Sequence, residues 1–375
     1  MKKGIVFYLL FGVMLMAAFS QEKILNTEMP TNKDSGRMIK LKPVVVITDE
    51  DEGYYFKWPY NLKVSHDGCI FVQDKNQLLK FTADGKFVKN YVKSGQGPGE
   101  TQTITNYIPL EDDSIYIHNR APNKILRINN EGKLLEEIRL PFEKWADLIH
   151  VNDDFFYFIF NDAPDTKGGV KVTDLNKKFF SVSRKDFSVE DKFSLPVKTF
   201  MLNNSEAFVM VKLIYLSGCR FKDNLFYFNH TPEYGVKLVD LDRKEFLMDI
   251  RRKYDRVKVT DYTKKFILYG GFSYGGKIHQ SPIPKYMNDI QSVHVDNNRL
   301  LVITSTVDKD KGVLVDVFNE KGKYIDYFYL KLPGEDIHFQ LIQSAVTFKN
   351  GFLYTLEKNE DGNWLLKKYL VSPNS

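Results

Sequence analysis

Short apolar runs set off by polar turns recur along the whole chain. The clearest stretch is 65–104. An apolar run at 69–72 ends in Gln73-Asp74, a second follows at 78–81, and Ala83-Asp84-Gly85-Lys86 leads into a third at 87–92. Runs this short, rich in β-branched and aromatic residues and bounded by Gly, Asn and Asp, predict strands. Gly95-Gln96-Gly97-Pro98-Gly99-Glu100 closes the stretch. Its glycines permit close passage and unusual dihedrals while Pro98 fixes one backbone angle, so it predicts a rigid connector.

The order repeats downstream. Asp112-Asp113-Ser114 precedes strands expected at 115–118 and 124–128, and Glu131-Gly132-Lys133 precedes one at 134–140. Asp84-Gly85-Lys86 and Glu131-Gly132-Lys133 hold the same place in their copies and predict tight antiparallel turns with a positive φ at glycine. A third, looser copy starts at Asn152-Asp153-Asp154, with strands expected at 155–160, 169–173 and 179–182 and a turn at 174–178. Further copies start at Lys222-Asp223-Asn224, Asp296-Asn297-Asn298 and Lys349-Asn350-Gly351, and 185–215 and 255–292 carry extra material. A unit of three or four short strands cannot bury both of its faces alone, and six units of about 50 residues arranged round an axis solve that. The expected fold is all-β: a six-bladed β-propeller with mostly four-stranded antiparallel blades. An early strand at 41–47 is expected to join the last sheet and close the ring.

On residues 70–74 and 79–81, on Asp84-Gly85-Lys86-Phe87, and above all on Gly95-Gln96-Gly97-Pro98-Gly99-Glu100, the chain resembles exported six-bladed β-propeller proteins of Bacteroidetes. Their architecture is akin to NHL-repeat propellers. The resemblance covers most of 38–371, the later blades by pattern alone. Members of that family often look like lipoproteins, whereas no cysteine ends the apolar N-terminal run here, and Cys69 is too distant. The resemblance implies the fold and brings no catalytic set.

Lys2 and Lys3, an apolar run at 5–16 and the small residues Ala18 and Ser20 predict a cleavable export signal over 1–20. The apolar stretch 4–19 is shorter than the roughly 20 residues of a spanning helix, so no stable span is expected after cleavage. The remaining organisation reads as an extended lead-in at 21–37, one propeller domain at 38–371 and a tail at 372–375. The expected location is the periplasm or the exterior, at or near the envelope. Removing the leader's two lysines lowers the formal charge from +5 to +3. The charges are scattered, and neither Arg251-Arg252-Lys253 nor Lys264-Lys265 makes a nucleic-acid groove. Of the two cysteines, Cys69 reads as a buried thiol in a strand and Cys219 as a residue near a loop.

Candidate chemistry is sparse. The Gly95–Glu100 run lacks the Gly-Lys-Ser/Thr of a phosphate loop, and the seven histidines form no HxH or HExxH pattern, so neither a cofactor nor a metal is expected. His66-Asp67 reads as part of a turn rather than a general base with its orienting carboxylate, because adjacent strand residues point to opposite faces. Asp74 reads as facing a channel or capping a strand end. The best recognition candidate is the insertion at 269–281, where Tyr269, Phe272, Tyr274, Lys277, His279 and Gln280 sit among four glycines. Aromatic faces stack on sugars or peptide rings, and polar groups fix orientation. Glu100 is a further candidate ligand contact. A second aromatic cluster at 54–60 is expected to pack against the first blade. The expected function is non-catalytic binding of an envelope protein or a glycan through rim loops. A hydrolase or lyase at the central channel and a structural envelope module are the alternatives.

Overall fold

The computed structural model describes residues 21–48, 53–166, 169–213, 216–266, 270–331 and 346–371. The expected signal at 1–20 and tail at 372–375 lie outside the described residues. Six antiparallel sheets follow one another along the chain. Blade 1 comprises Pro59–Val64, Ile70–Asp74, Gln77–Phe81 and Phe87–Asn90. Blade 2 comprises Ile104–Pro109, Ile115–Asn119, Lys124–Ile128 and Leu134–Arg139. Blade 3 has five strands, Ala146–Val151, Phe155–Asp162, Lys171–Ser183, Val189–Asn203 and Phe208–Lys212. Blade 4 runs through Ser217–Lys222, Leu225–Asn229, Val236–Asp240 and Glu245–Arg252, and blade 5 through Ile290–Asp296, Arg299–Asp308, Gly312–Phe318 and Tyr324–Lys331. Val346–Lys349, Phe352–Lys358 and Trp364–Leu370 form blade 6 together with Pro43–Ile47, which pairs antiparallel with the last of them. An N-terminal strand thus completes the final sheet.

Alternation along the second strands explains the ring. Ile70 and Val72 pack into one core with blade 6 residues such as Tyr354, while Phe71 packs into another with Ile115 and Ile117. Tyr116 turns to the joint with blade 3, and Tyr157 to the joint with blade 4. Tyr227 and Val302 meet between blades 4 and 5, and Ile303 and Leu353 between blades 5 and 6. Each sheet is therefore buried on both faces, and the six cores are the six joints of a closed ring. Full burial of one such aromatic or aliphatic side chain stabilises the fold by about 1.5–3 kcal/mol.

The predicted Gly turns form, with φ of +92° at Gly85, +78° at Gly132 and +70° at Gly322. A second constraint appears only in three dimensions. A Cβ on Gly85 would stand 2.5 Å from Val45 on the closing strand, and one on Gly322 2.7 Å from Ile24. These turn tips lie against the outer strand of the preceding blade, which leaves room for no side chain.

Two expectations are corrected. The turn expected at 174–178 is the middle of the 13-residue strand Lys171–Ser183, which pairs with Val189–Asn203 as a long hairpin arm. Cross-strand pairing overrides the polar Asp174-Leu175-Asn176-Lys177 sequence, because each backbone group finds a partner on one or both sides. Cys219 lies within the strand Ser217–Lys222, opposite Tyr227, and is a free thiol, as is Cys69. The extended lead-in also pairs. Glu22–Asn26 adds in parallel to the outer edge of blade 4, and Arg37–Lys40 does the same on blade 5.

Candidate functional site

The first strands of neighbouring blades touch one another, as between Ile104–Pro109 and Ala146–Val151 or between Val346–Lys349 and Pro59–Val64, so they line the axis. Most are irregular. Pairing skips Asn61 in blade 1, Thr105 in blade 2, Ile149 in blade 3 and Gln291 in blade 5. Such a bulge re-aims the unpaired residue. Asn61, at a φ of +51°, Thr105 and Ile149 all line a cavity of about 370 Å³ at the axial mouth of blades 1–4. Tyr60, Asn106, Asp147, Lys177, Lys212 and Phe228 also line it. This volume falls within the roughly 300–1,000 Å³ of small-molecule sites.

A ladder of side-chain amides fixes one wall. Gln73 Nε2 donates to Tyr60 Oη at 2.6 Å and to the Ile104 carbonyl at 2.7 Å. Asn61 Nδ2 donates to Gln73 Oε1 and Asn106 Oδ1, each at 2.9 Å, and Asn106 passes a bond on to the Leu148 carbonyl. Beneath it, Lys63 Nζ donates to Asn106 Oδ1 at 2.8 Å and to the Tyr107 carbonyl. Burial lowers this amine to about 7.

The rest of the polar lining is charged. Asp147 is open to the cavity but crowded by surrounding protein, and that desolvation raises its carboxyl above the usual range, against the pull of Lys177, Arg120 and Lys212. Burial lowers Lys177 to about 8, with help from Lys212. Among the described residues, neither Asp147 nor Lys177 takes part in an ion pair. Arg120 lies over the Trp145 ring at 3.4 Å, and its buried Nε has no hydrogen-bond partner among the described residues.

The residues singled out from sequence fall elsewhere. Gly271–Tyr274 and Lys277–Gln280 form a hairpin around Gly275-Gly276, both with positive φ. Phe272 stacks on His279 at 5.8 Å and meets Phe200 of the blade 3 arm at 5.5 Å. Tyr274 Oη donates to Glu206 at 2.7 Å. Phe272 and His279 thus meet other rings and Tyr274 is tied through its hydroxyl, while Lys277 and Gln280 are exposed. Tyr269 lies outside the described residues. Glu100 faces its own loop and accepts from the Gly97 amide at 2.9 Å. Gly99 N–H donates to Glu137 at 2.8 Å, and buried Lys124 ties Glu137 to the Gly97 carbonyl. The connector is therefore pinned to blade 2.

Asp74 accepts from the amides of Lys57 and Trp58, each at 2.7 Å, and so caps rather than faces a channel. His118 is held by Thr105 and Asn123, and His150 by Asn224. Among the described residues, no three His, Cys, Asp or Glu side chains gather as a metal site would need. The aromatic cluster divides: Tyr54 and Phe56 pack with Phe81, whereas Tyr60 reaches the axis. The cavity residues Asn61, Asn106, Asp147 and Lys177 escape sequence reasoning. Counting back from each polar turn to the strand before it is the signal that finds the first three.

These sheets define a six-bladed β-propeller. Residues 17–279 match the family described as 6-bladed beta-propeller, and the chain belongs to that family. No curated protein matches it. Among solved structures it is similar to a protein from Bacteroides fragilis NCTC 9343 described as exported, with 12% identity, a TM-score of 0.50 and coverage of 93% of this chain and 99% of that one. It is also similar to a member of the duf4221 family from Bacteroides vulgatus ATCC 8482, with 13% identity, a TM-score of 0.56 and coverage of 89% and 98%. At these identities the likeness is one of fold.

Proposed function

We propose that the protein is an exported binding propeller that seats a small polar ligand in the axial mouth of blades 1–4, rather than on the rim hairpin. The observation that carries this reading is the cavity itself: bulged first strands aim Asn61, Thr105 and Ile149 into a space of about 370 Å³ beside Asp147 and Lys177. Export rests on the pattern of residues 1–20 and agrees with the exported description of the Bacteroides fragilis protein. A prebuilt amide ladder supports binding, because its groups need no reorganisation when a ligand arrives. The test is calorimetric titration with a soluble glycan panel, repeated on two variants. Ile149→Trp fills the mouth without removing a charge, and Tyr274→Ala opens the hairpin. A ligand lost on the first change and kept on the second supports the axial seat; the reverse moves the site to the hairpin.

A second reading, hydrolysis or elimination at the same mouth, is favoured by one observation. A carboxyl raised by burial and an amine lowered to about 8 share the cavity, and opposed shifts of this kind suit acid–base chemistry. Product formation from the bound ligand, abolished in Asp147→Asn, would establish it.

A further inference from the structure

The axial wall has a charge pattern that narrows the ligand. Lys177 and Lys212 line the cavity with Asp147, and Arg120 acts on that carboxylate from outside the lining, so cations outnumber it three to one. The guanidinium of Arg120 already lies over the Trp145 ring, and its buried Nε is unpartnered among the described residues. The other polar lining groups are neutral: Tyr60, Asn61, Thr105 and Asn106. Both Asn61 amide hydrogens are committed to Gln73 and Asn106, which leaves its carbonyl oxygen as an acceptor. Tyr60 and Phe228 supply ring surface.

A ligand that satisfies both walls presents an anion to the lysines, neutral donors to Asp147 and the Asn61 carbonyl, and a partly apolar face to the rings. A bare dianion meets the lysines but is repelled by Asp147. A free amino acid brings its ammonium to Asp147, yet sets it among three cations. A hydroxyl gives the same hydrogen bond without that repulsion. We infer that the axial mouth binds an acidic sugar, its carboxylate between Lys177 and Lys212 and its hydroxyls donating to Asp147 and Asn61. The inference rests on the axial reading above and adds the ligand class to it.

The probes are oligosaccharides of galacturonate, glucuronate and mannuronate, the methyl esters of each as uncharged counterparts, and glutamate, titrated calorimetrically against the purified protein. At least one acidic oligosaccharide is expected to bind. Esterification and Lys177→Met are each expected to weaken it roughly tenfold or more, the scale of one charge-assisted hydrogen bond. Asp147→Asn is expected to weaken the ester more than the acid, since it removes a hydroxyl acceptor from both and a like charge from the acid alone. Raising the salt is expected to weaken the acid and not the ester. An ester that binds as tightly as its acid, an unchanged dissociation constant in Lys177→Met, glutamate preferred over every sugar, or no acidic sugar bound at all would each overturn the inference. A neutral glycan lost on Ile149→Trp would overturn the acidic-sugar assignment and keep the axial seat. A panel in which no ligand responds to Ile149→Trp would remove both.

Discussion

Arg252, at the outer end of blade 4, grips Asp316 in the third strand of blade 5 through two parallel bonds, Nε to Oδ2 at 2.7 Å and Nη2 to Oδ1 at 3.1 Å. The carboxylate is fully buried and also accepts from Tyr234 and Tyr324. Three tyrosine rings, Tyr234, Tyr254 and Tyr324, lie within 5.0–5.2 Å of the guanidinium. The pair is a clasp across one joint of the ring. Arg252→Met strands a buried charge and is expected to cost about 3–5 kcal/mol in urea denaturation. Arg252→Met combined with Asp316→Leu is expected to recover part of that loss, because no unpaired charge remains.

The connector offers a double-mutant test. A Cβ on Gly95 would collide with the Glu100 carboxylate that the Gly97 amide holds. Gly95→Ala and Glu100→Ala therefore break one and the same arrangement. Each is expected to cost about 1.5–3 kcal/mol, and the double variant little more than the larger single one. Additive losses in chemical denaturation would show that the two residues act separately.

Tyr274 is tied to Glu206 at an exposed site. Tyr274→Phe removes that bond alone and is expected to change stability by less than about 1 kcal/mol, with ligand affinity unchanged. A loss of affinity would return the hairpin to the binding site.

Acid is expected to loosen the ring. His118 and His150 are buried between bonded neighbours, and burial lowers each imidazole from 6.5 to about 4. Between those values the unfolded chain binds protons that the folded chain refuses, so stability falls as pH drops from about 6.5 towards 4. Each imidazole contributes up to about 1.4 kcal/mol per pH unit. Thermal midpoints at pH 7, 6 and 5 test this, and His150→Gln is expected to flatten the slope.

Binding should respond to alkali in the opposite sense. Lys177 loses its proton near pH 8, so affinity for an anionic ligand is expected to decline above that pH while affinity for an uncharged one holds. Titrations at pH 7 and 9 separate the two.

Much of the fold was legible in the chain. The apolar second strands, the Gly-centred turns and the closing strand at 43–47 follow from period-two alternation and from the φ that each turn requires. The first strands were not legible, for a physical reason. They edge the axis as well as the cores, carry polar residues there, and are broken by bulges that spoil alternation, as at Asn61 between Tyr60 and Leu62. The arm of blade 3 escaped for a related reason. Lys177 sits in a polar stretch that reads as a turn until the partner strand is known.

The hairpin candidates show the complementary limit. Phe272, Tyr274 and His279 look like a binding surface when only composition is visible, yet tertiary packing places them against Phe200 and Glu206. The sequence by itself determined the number of blades and most of their second to fourth strands, because local pattern and turn chemistry set those strands and the two-faced burial that forces a ring. Tertiary structure alone decided the cavity. Its lining comes from four blades, from Tyr60 to Phe228, and residues that far apart acquire a common chemistry only when the ring closes around the axis.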